Sequence, residues 1–255
     1  MRGVPLREIV AFLDSYLEVE SVVDYPNALN GLQVEADGPV ERFAVSVDSS
    51  EAVIHAARDW ADLLIVHHGL FWRGLQPLTG PHFRRVRALI ESGTALYSAH
   101  LPLDSHPEVG NSAALARAVG VTSLEPFGEY GGAPVGWHGV LAGSGATLGD
   151  FAATLSEVLG NEVRTLPGGS DSVSGVGIVT GAGASALDEA AALGLDVLVT
   201  GEAQHHHAIE AAETGVAILL GGHYATETWG VKQVCELLTR HFGIEGRFVD
   251  SPTGL

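Results

Sequence analysis

The feature that most narrows the fold of this chain is a repeated alternation of short, wholly apolar runs with segments of helical spacing. Leu63-Leu64-Ile65-Val66, Ala95-Leu96-Tyr97, Val197-Leu198-Val199 and Ala217-Ile218-Leu219-Leu220 are the clearest such runs. A run without polar alternation suits a strand buried on both faces of a parallel sheet. Strands separated by helical patterns of about ten to fifteen residues indicate βαβ units. The expected fold class is therefore α/β.

The pattern predicts strands at Phe43–Asp48, Asp62–Val66, Thr94–Ala99, Val176–Thr180, Asp196–Thr200 and Val216–Leu220. Helices are predicted at Leu6–Val19, from Ser50 to Trp60, at Pro81–Ser92, Asn111–Val119, Leu148–Leu159, Ala184–Leu193, Gln204–Glu213 and Glu227–Phe242. Two stretches run in the same order. Phe43 to His68 and Val176 to Glu202 each read strand, small-residue turn, helix, strand; each is followed by a helix ending at glycine (Gly93, Gly215) and a further strand. Internal duplication is the economical explanation, and chance recurrence of a common unit is the alternative. The expectation is two related α/β domains, residues 1–127 and 128–255, with the final helix packing back on the first. The boundary is placed in the glycine-rich stretch from about Pro126 to Gly145, read as one short strand among turns.

Three of the apolar runs end in groups that ligate metals. Leu63–Val66 runs into His67-His68. The strand ending at Ala99 gives His100, then Asp104 four residues on; the strand ending at Leu220 gives His223, then Glu227 four residues on. Imidazole and carboxylate are donors that borderline divalent cations prefer, and ligands of open α/β sheets gather at the carboxyl ends of strands. Neighbouring strand residues point in different directions, so His67 and His68 suit two adjacent ions better than one. A solvated histidine pair is the plain alternative, but two neutral imidazoles beside a buried strand need partners. His223 and Glu227 share a helical face. Glu227 alone could simply complement the helix dipole; that reading leaves the recurrence at His100 and Asp104 unexplained. His100 is read as a ligand or as a group that orients one. His205, His206 and His207 open a helix and fan around it, with His205 and His206 as possible cleft-lining residues. His55, His82, His138 and His241 stand apart and are assigned structural roles, as are Trp72, Trp137 and Trp229 by aromatic packing.

Composition excludes several classes. The 255 residues carry 13 basic and 31 acidic side chains for a net charge of −18, and Lys232 is the sole lysine. Such a chain lacks the electrostatic footprint for wrapping nucleic acid and is repelled by anionic membranes. No segment approaches about eighteen uninterrupted apolar residues, so no membrane span is expected. The start, Met1-Arg2-Gly3-Val4-Pro5, lacks an apolar signal region, and a cytoplasmic address is expected. Cys235, the sole cysteine, permits no intrachain disulfide and reads as a buried structural thiol. There is no G-x-x-x-x-G-K phosphate loop; Gly181-Ala182-Gly183-Ala184 matches part of a dinucleotide fingerprint and reads as a tight turn.

Taken together, Asn30-Gly31-Leu32-Gln33-Val34, Ala61 to Gly69, Tyr97 to His100 with Leu103-Asp104, Gly110-Asn111 and Gly222-His223 with Glu227 resemble the Nif-three-like dinuclear metal-centre proteins, also labelled GTP cyclohydrolase 1 type 2 homologues. The resemblance covers essentially the whole chain. It implies two interlocked α/β domains, two divalent ions per chain in the cleft between them, and a homohexameric ring. Carried over by position, the metal ligands fall on His67, His68, Asp104, His223 and Glu227, with Glu227 bridging. The visible departure is Leu101-Pro102, where polar residues are expected. The functional expectation is a metal-dependent hydrolase acting on a nucleotide or phosphoester, with His100 as the leading candidate to shuttle protons, His205 or His206 as further candidates, and zinc, iron or manganese as the metal. The alternative is a metal-binding scaffold or regulatory adaptor without turnover.

Overall fold

Strand propensity and burial carry the architecture. In the computed structural model, residues 3–143 and 145–255 are described; Met1 and Arg2, which begin the N-terminal segment read above, and Ser144 lie outside them. The chain divides into two compact units, Met1–Leu103 with Gly230–Ser251, and Asp104–Trp229 with Pro252–Leu255.

The first unit is built on a five-stranded sheet ordered Glu245–Phe248, Arg42–Asp48, Leu63–His68, Ala95–Ser98, Gly31–Val34. The first four pair in parallel, and the Gly31–Val34 edge is antiparallel. Ala44, Leu64, Val66 and Leu96 present one face of this sheet to Val53, Ile54 and Ala57 of helix Glu51–Ala57 and to Ala88 and Leu89 of helix Gly80–Ser92. These side chains are almost completely buried, and burial of each larger one stabilises the fold by about 1.5–3 kcal/mol. Ser50 caps the first of these helices, its hydroxyl accepting the Val53 N–H at 3.2 Å. Gly93 ends the second in the left-handed region at φ 65°, which glycine enters without a Cβ penalty. The strand Glu245–Phe248 is absent from the sequence expectation. It pairs beside Arg42–Asp48, and Gly246 is needed where a Cβ would strike the Phe43 ring.

The second unit holds a six-stranded sheet ordered Arg164–Leu166, Ala217–Leu220, Val197–Thr200, Gly175–Ile178, Ala133–Leu141, Val121–Tyr130. The three strands Gly175–Ile178, Val197–Thr200 and Ala217–Leu220 are parallel. They bury Val176, Ile178, Val197, Val199, Ala217 and Leu219 against Phe151 and Leu155 of helix Leu148–Leu159 and Leu115 of helix Asn111–Ala118. The glycine-rich stretch departs from the expectation of one short strand. It forms a long antiparallel hairpin, Val121–Tyr130 with Ala133–Leu141. Gly131 and Gly132 make its two-residue turn at φ 59° and 87°, a conformation in which paired glycines are favoured. A further correction lies at Ala184–Leu193, where a 3-10 turn, Gly183–Ala186, precedes a shorter helix, Leu187–Ala192.

Two boundaries matter for chemistry. The strand at Leu63 continues through His68 instead of ending before the histidines. The final helix begins at His223, four residues earlier than its periodicity suggests, and runs to Phe242. No helix among the described residues is long and apolar enough to cross a membrane.

Candidate metal centre

His67, His68 and His100 all sit at the carboxyl ends of neighbouring parallel strands in the first unit. Their ligand atoms lie within 4.8 Å of one another. Each imidazole is held through Nδ1. His67, fully buried, bonds the Ala99 carbonyl at 2.9 Å. His68 bonds Asp48 Oδ1 at 2.9 Å, and His100 bonds Asp24 Oδ1 at 2.9 Å. A carbonyl or an ionised carboxylate only accepts, so Nδ1 carries the proton in all three and Nε2 is the basic nitrogen. A hydrogen-bond acceptor on the far nitrogen is the arrangement that orients metal-binding histidines and raises their basicity.

Asp24, Asp48 and Asn30 were not singled out from sequence for this role. Asp48 is adjacent through register, since it pairs with His68 across parallel strands. Asp24 lies 76 residues from its partner His100. Its side chain accepts the Leu101 N–H at 3.0 Å and Asn30 Nδ2–H at 2.8 Å, while Asn30 Oδ1 accepts the His100 N–H at 2.8 Å. Burial pushes the Asp24 carboxyl up, but the hydrogen bond and charge of His100, with the bonds from Asn30 and Tyr25, hold it below the ordinary carboxylate value. Only the Asx-rich character of the Asp24–Asn30 loop hinted at this.

The second unit places Asp104, His223 and Glu227. Asp104 is buried, at the end of the turn Leu101–Asp104, and its Oδ1 accepts from Asn111 Nδ2 at 2.8 Å and Thr180 Oγ1 at 3.2 Å. Leu101 and Pro102, the departure noted above, are both buried in that turn. His223 Nε2 lies 3.1 Å from Glu227 Oε1 and its Nδ1 3.2 Å from Glu202 Oε1. The Glu227 hydrogen bond is the chief cause that raises the His223 pKa to about 9; burial opposes it, and the Glu227 charge and Glu202 add to it. This imidazole therefore keeps its proton at neutral pH unless a cation takes over the compensating role.

Gly181 makes that pairing possible. It follows the strand Gly175–Ile178 at φ 63°, and a Cβ there would collide with Glu227 Oε1. Its N–H donates to Thr226 Oγ1 at 3.1 Å and its carbonyl accepts from Thr200 Oγ1 at 3.1 Å. The turn thus backs a carboxylate of its own chain.

His205 and His206 are exposed and His207 is half-buried at the start of helix His205–Thr214. His207 Nδ1 accepts the Gln204 N–H at 3.0 Å, a capping role. His82 is buried edge-on to Phe71, and His241 stacks on Phe12 with 4.2 Å between centroids. Cys235 is half-buried, its thiol shifted upward by burial. Trp72 packs on the imidazoles themselves, 4.7 Å from His100 and 5.9 Å from His68 between ring centroids.

Comparison with known proteins agrees with this architecture. The family described as Duf34/NIF3 (NGG1p interacting factor 3) matches residues 4–253. The chain belongs to that family. A curated Deinococcus radiodurans protein named GTP cyclohydrolase 1 type 2 homolog is 44% identical over 97% of this chain and 94% of its own length. A Halobacterium salinarum protein of the same name is 45% identical over 92% of this chain and 94% of its own. The crystal structure of TTHA1606 from Thermus thermophilus superposes with a TM-score of 0.91 at 38% identity, covering 99% of this chain and 100% of that one.

Proposed function

We propose that the two units, the products of an internal duplication, jointly hold two divalent cations. In this NIF3 member His67 and His68 would serve as the ligands from the first unit, and Asp104, His223 and Glu227 as those from the second. The reading is carried by the His67–His68–His100 array, whose ligand atoms crowd within 4.8 Å while each Nδ1 is spent on an acceptor. Mixed nitrogen and oxygen donors fit zinc, iron or manganese. A pair of such ions supplies Lewis-acid polarisation of a substrate oxygen and acidifies water at neutral pH.

The chain's own residues do the rest. His67, His68 and His223 are the nitrogen donors, and the carboxylates of Asp104 and Glu227 contribute negative charge. His100, braced by Asp24, exchanges a proton at Nε2 with the reacting water or leaving group; the Asp24 carboxylate stabilises the charged ring that forms. Asn111 and Thr180 fix the rotamer of Asp104. The reaction is metal-dependent hydrolysis of a nucleotide or phosphoester, and the curated relatives' naming after GTP cyclohydrolase favours a nucleotide. The working form is a six-chain ring in the cytoplasm.

The test is elemental analysis of gently purified protein, followed by a nucleotide and phosphoester panel with wild type and His100→Ala. About two ions per chain with turnover that His100→Ala abolishes, at unchanged metal content, supports the reading. Metal without turnover across the panel supports a scaffold, and protein without stoichiometric metal overturns the centre.

A further inference from the structure

We propose that Tyr25 and Trp72 form a binding wall for a planar nitrogen heterocycle, the ring end of a substrate whose other end reaches the His67–His68–His100 array. The proposal rests on the metal-centre reading and names the class of ligand it takes.

The rings border the same imidazoles from two separate loops. Trp72 stands nearly perpendicular to His100, at 85° and 4.7 Å, and to His68, at 74° and 5.9 Å. Tyr25 lies 5.6 Å from His100 and 6.3 Å from Trp72. Tyr25 is 45% exposed beside a histidine that is 8% exposed, so its ring offers open aromatic surface next to a nearly buried imidazole. Exposed aromatic surface adjoining convergent polar groups is what a ligand pocket offers.

The corner is built in advance. Gln33 bridges the two loops, its Oε1 accepting the Leu70 N–H at 2.8 Å and its Nε2 donating to the Leu29 carbonyl at 2.9 Å. Gly69 leaves room for this amide, since a Cβ there would displace the Gln33 side chain from its present position. Across the same pair of loops, Gly74 comes close to Asn27, whose Oδ1 would lie 3.1 Å from a Cβ. Leu29 holds φ 22°, a strained value for a branched side chain. Asp24, which braces His100, immediately precedes Tyr25, so one segment sets both the imidazole and the phenol ring. Ordering achieved during folding need not be repeated on binding. Stacking on such a wall tolerates any base, since every base has a π-face.

Calorimetric titration of metal-loaded protein with GTP and with inorganic tripolyphosphate tests this, metal content being measured on the same samples. The expectation is GTP bound about tenfold or more tightly than tripolyphosphate, the scale of one stacked base. Trp72→Leu and Tyr25→Leu should each remove most of that margin while leaving tripolyphosphate affinity and metal content unchanged, and Trp72→Phe should keep most of it. Equal affinity of wild type for the two probes overturns the wall, as does binding of neither. So does a Trp72→Leu protein that retains the margin or loses tripolyphosphate and metal in parallel. Failure of wild type to load metal overturns the metal-centre reading as well, whereas a loaded protein with no ring margin overturns the wall alone.

Discussion

The two units carry the same core of three consecutive parallel strands in the same order, Arg42–Asp48, Leu63–His68, Ala95–Ser98 in one and Gly175–Ile178, Val197–Thr200, Ala217–Leu220 in the other. They spend their strand ends differently. The first ends in imidazoles, each fixed through Nδ1 to a separate acceptor. The second ends in tight turns, Gly181 and Gly221-Gly222, and delivers its donors from a helix start, with His223 pinned at both nitrogens by carboxylates. One half therefore presents imidazoles whose Nδ1 atoms are already engaged, and the other presents carboxylates that raise the pKa of the imidazole between them. Shared topology fixes where side chains emerge; the residues after each strand fix the sign of what emerges.

If the acidic half is what retains cations, the largest effect belongs to Glu227. Glu227→Gln should lower metal content by at least one ion per chain, read by elemental analysis. Wild-type content in that variant would break the assignment. The imidazole-bearing half should respond more gradually. Asp48→Asn keeps an acceptor for His68 Nδ1 but removes its charge, and should weaken metal affinity by about 10–100-fold, measured by chelator competition. An affinity within twofold of wild type would mean that Asp48 only supports the strand. Gly181→Ala separates the halves by a third route. The added methyl meets Glu227 Oε1 in a left-handed backbone, so thermal unfolding of the metal-free protein should show a loss of roughly 2 kcal/mol or more. Unchanged stability would show that the turn does not back the carboxylate.

The sequence disclosed most where one physical rule acted alone. Fully apolar runs named the parallel strands, and helix Leu148–Leu159 matched its periodicity residue for residue. Competing rules hid the rest. The hairpin of Val121–Tyr130 and Ala133–Leu141 was obscured because its glycines signal turns, whereas Gly136 and Gly139 are there for close approach of neighbouring backbone: a Cβ at either would strike a carbonyl oxygen. The strand Glu245–Phe248 is four residues, charged at two, and gains its place only through pairing with Arg42–Asp48. At the site, the histidines that follow apolar strands were legible. The carboxylates that orient them were not, because Asp24 and Asp48 meet His100 and His68 only once the sheet has assembled. Trp72 was legible as an aromatic that packs, but not as one that packs on imidazole.

The smallest effect is expected at Cys235, which lies in the first unit but belongs to neither donor set. Its thiol is half-buried on the final helix, and a Cβ on Gly246 would sit 2.8 Å from Sγ, so it packs against the edge strand. Burial, and after it the charge of Glu236, raise its pKa, which disfavours the thiolate needed for nucleophilic attack or ligation. Cys235→Ala removes one sulfur from a partly exposed site and should cost about 1 kcal/mol or less, seen as a small shift in the chemical-denaturation midpoint. Metal content and ligand affinity should match wild type. A drop in either would bring a sulfur donor into the proposed set of nitrogen and oxygen ligands, and the contrast between an imidazole-bearing and an acidic half would have to be redrawn around it.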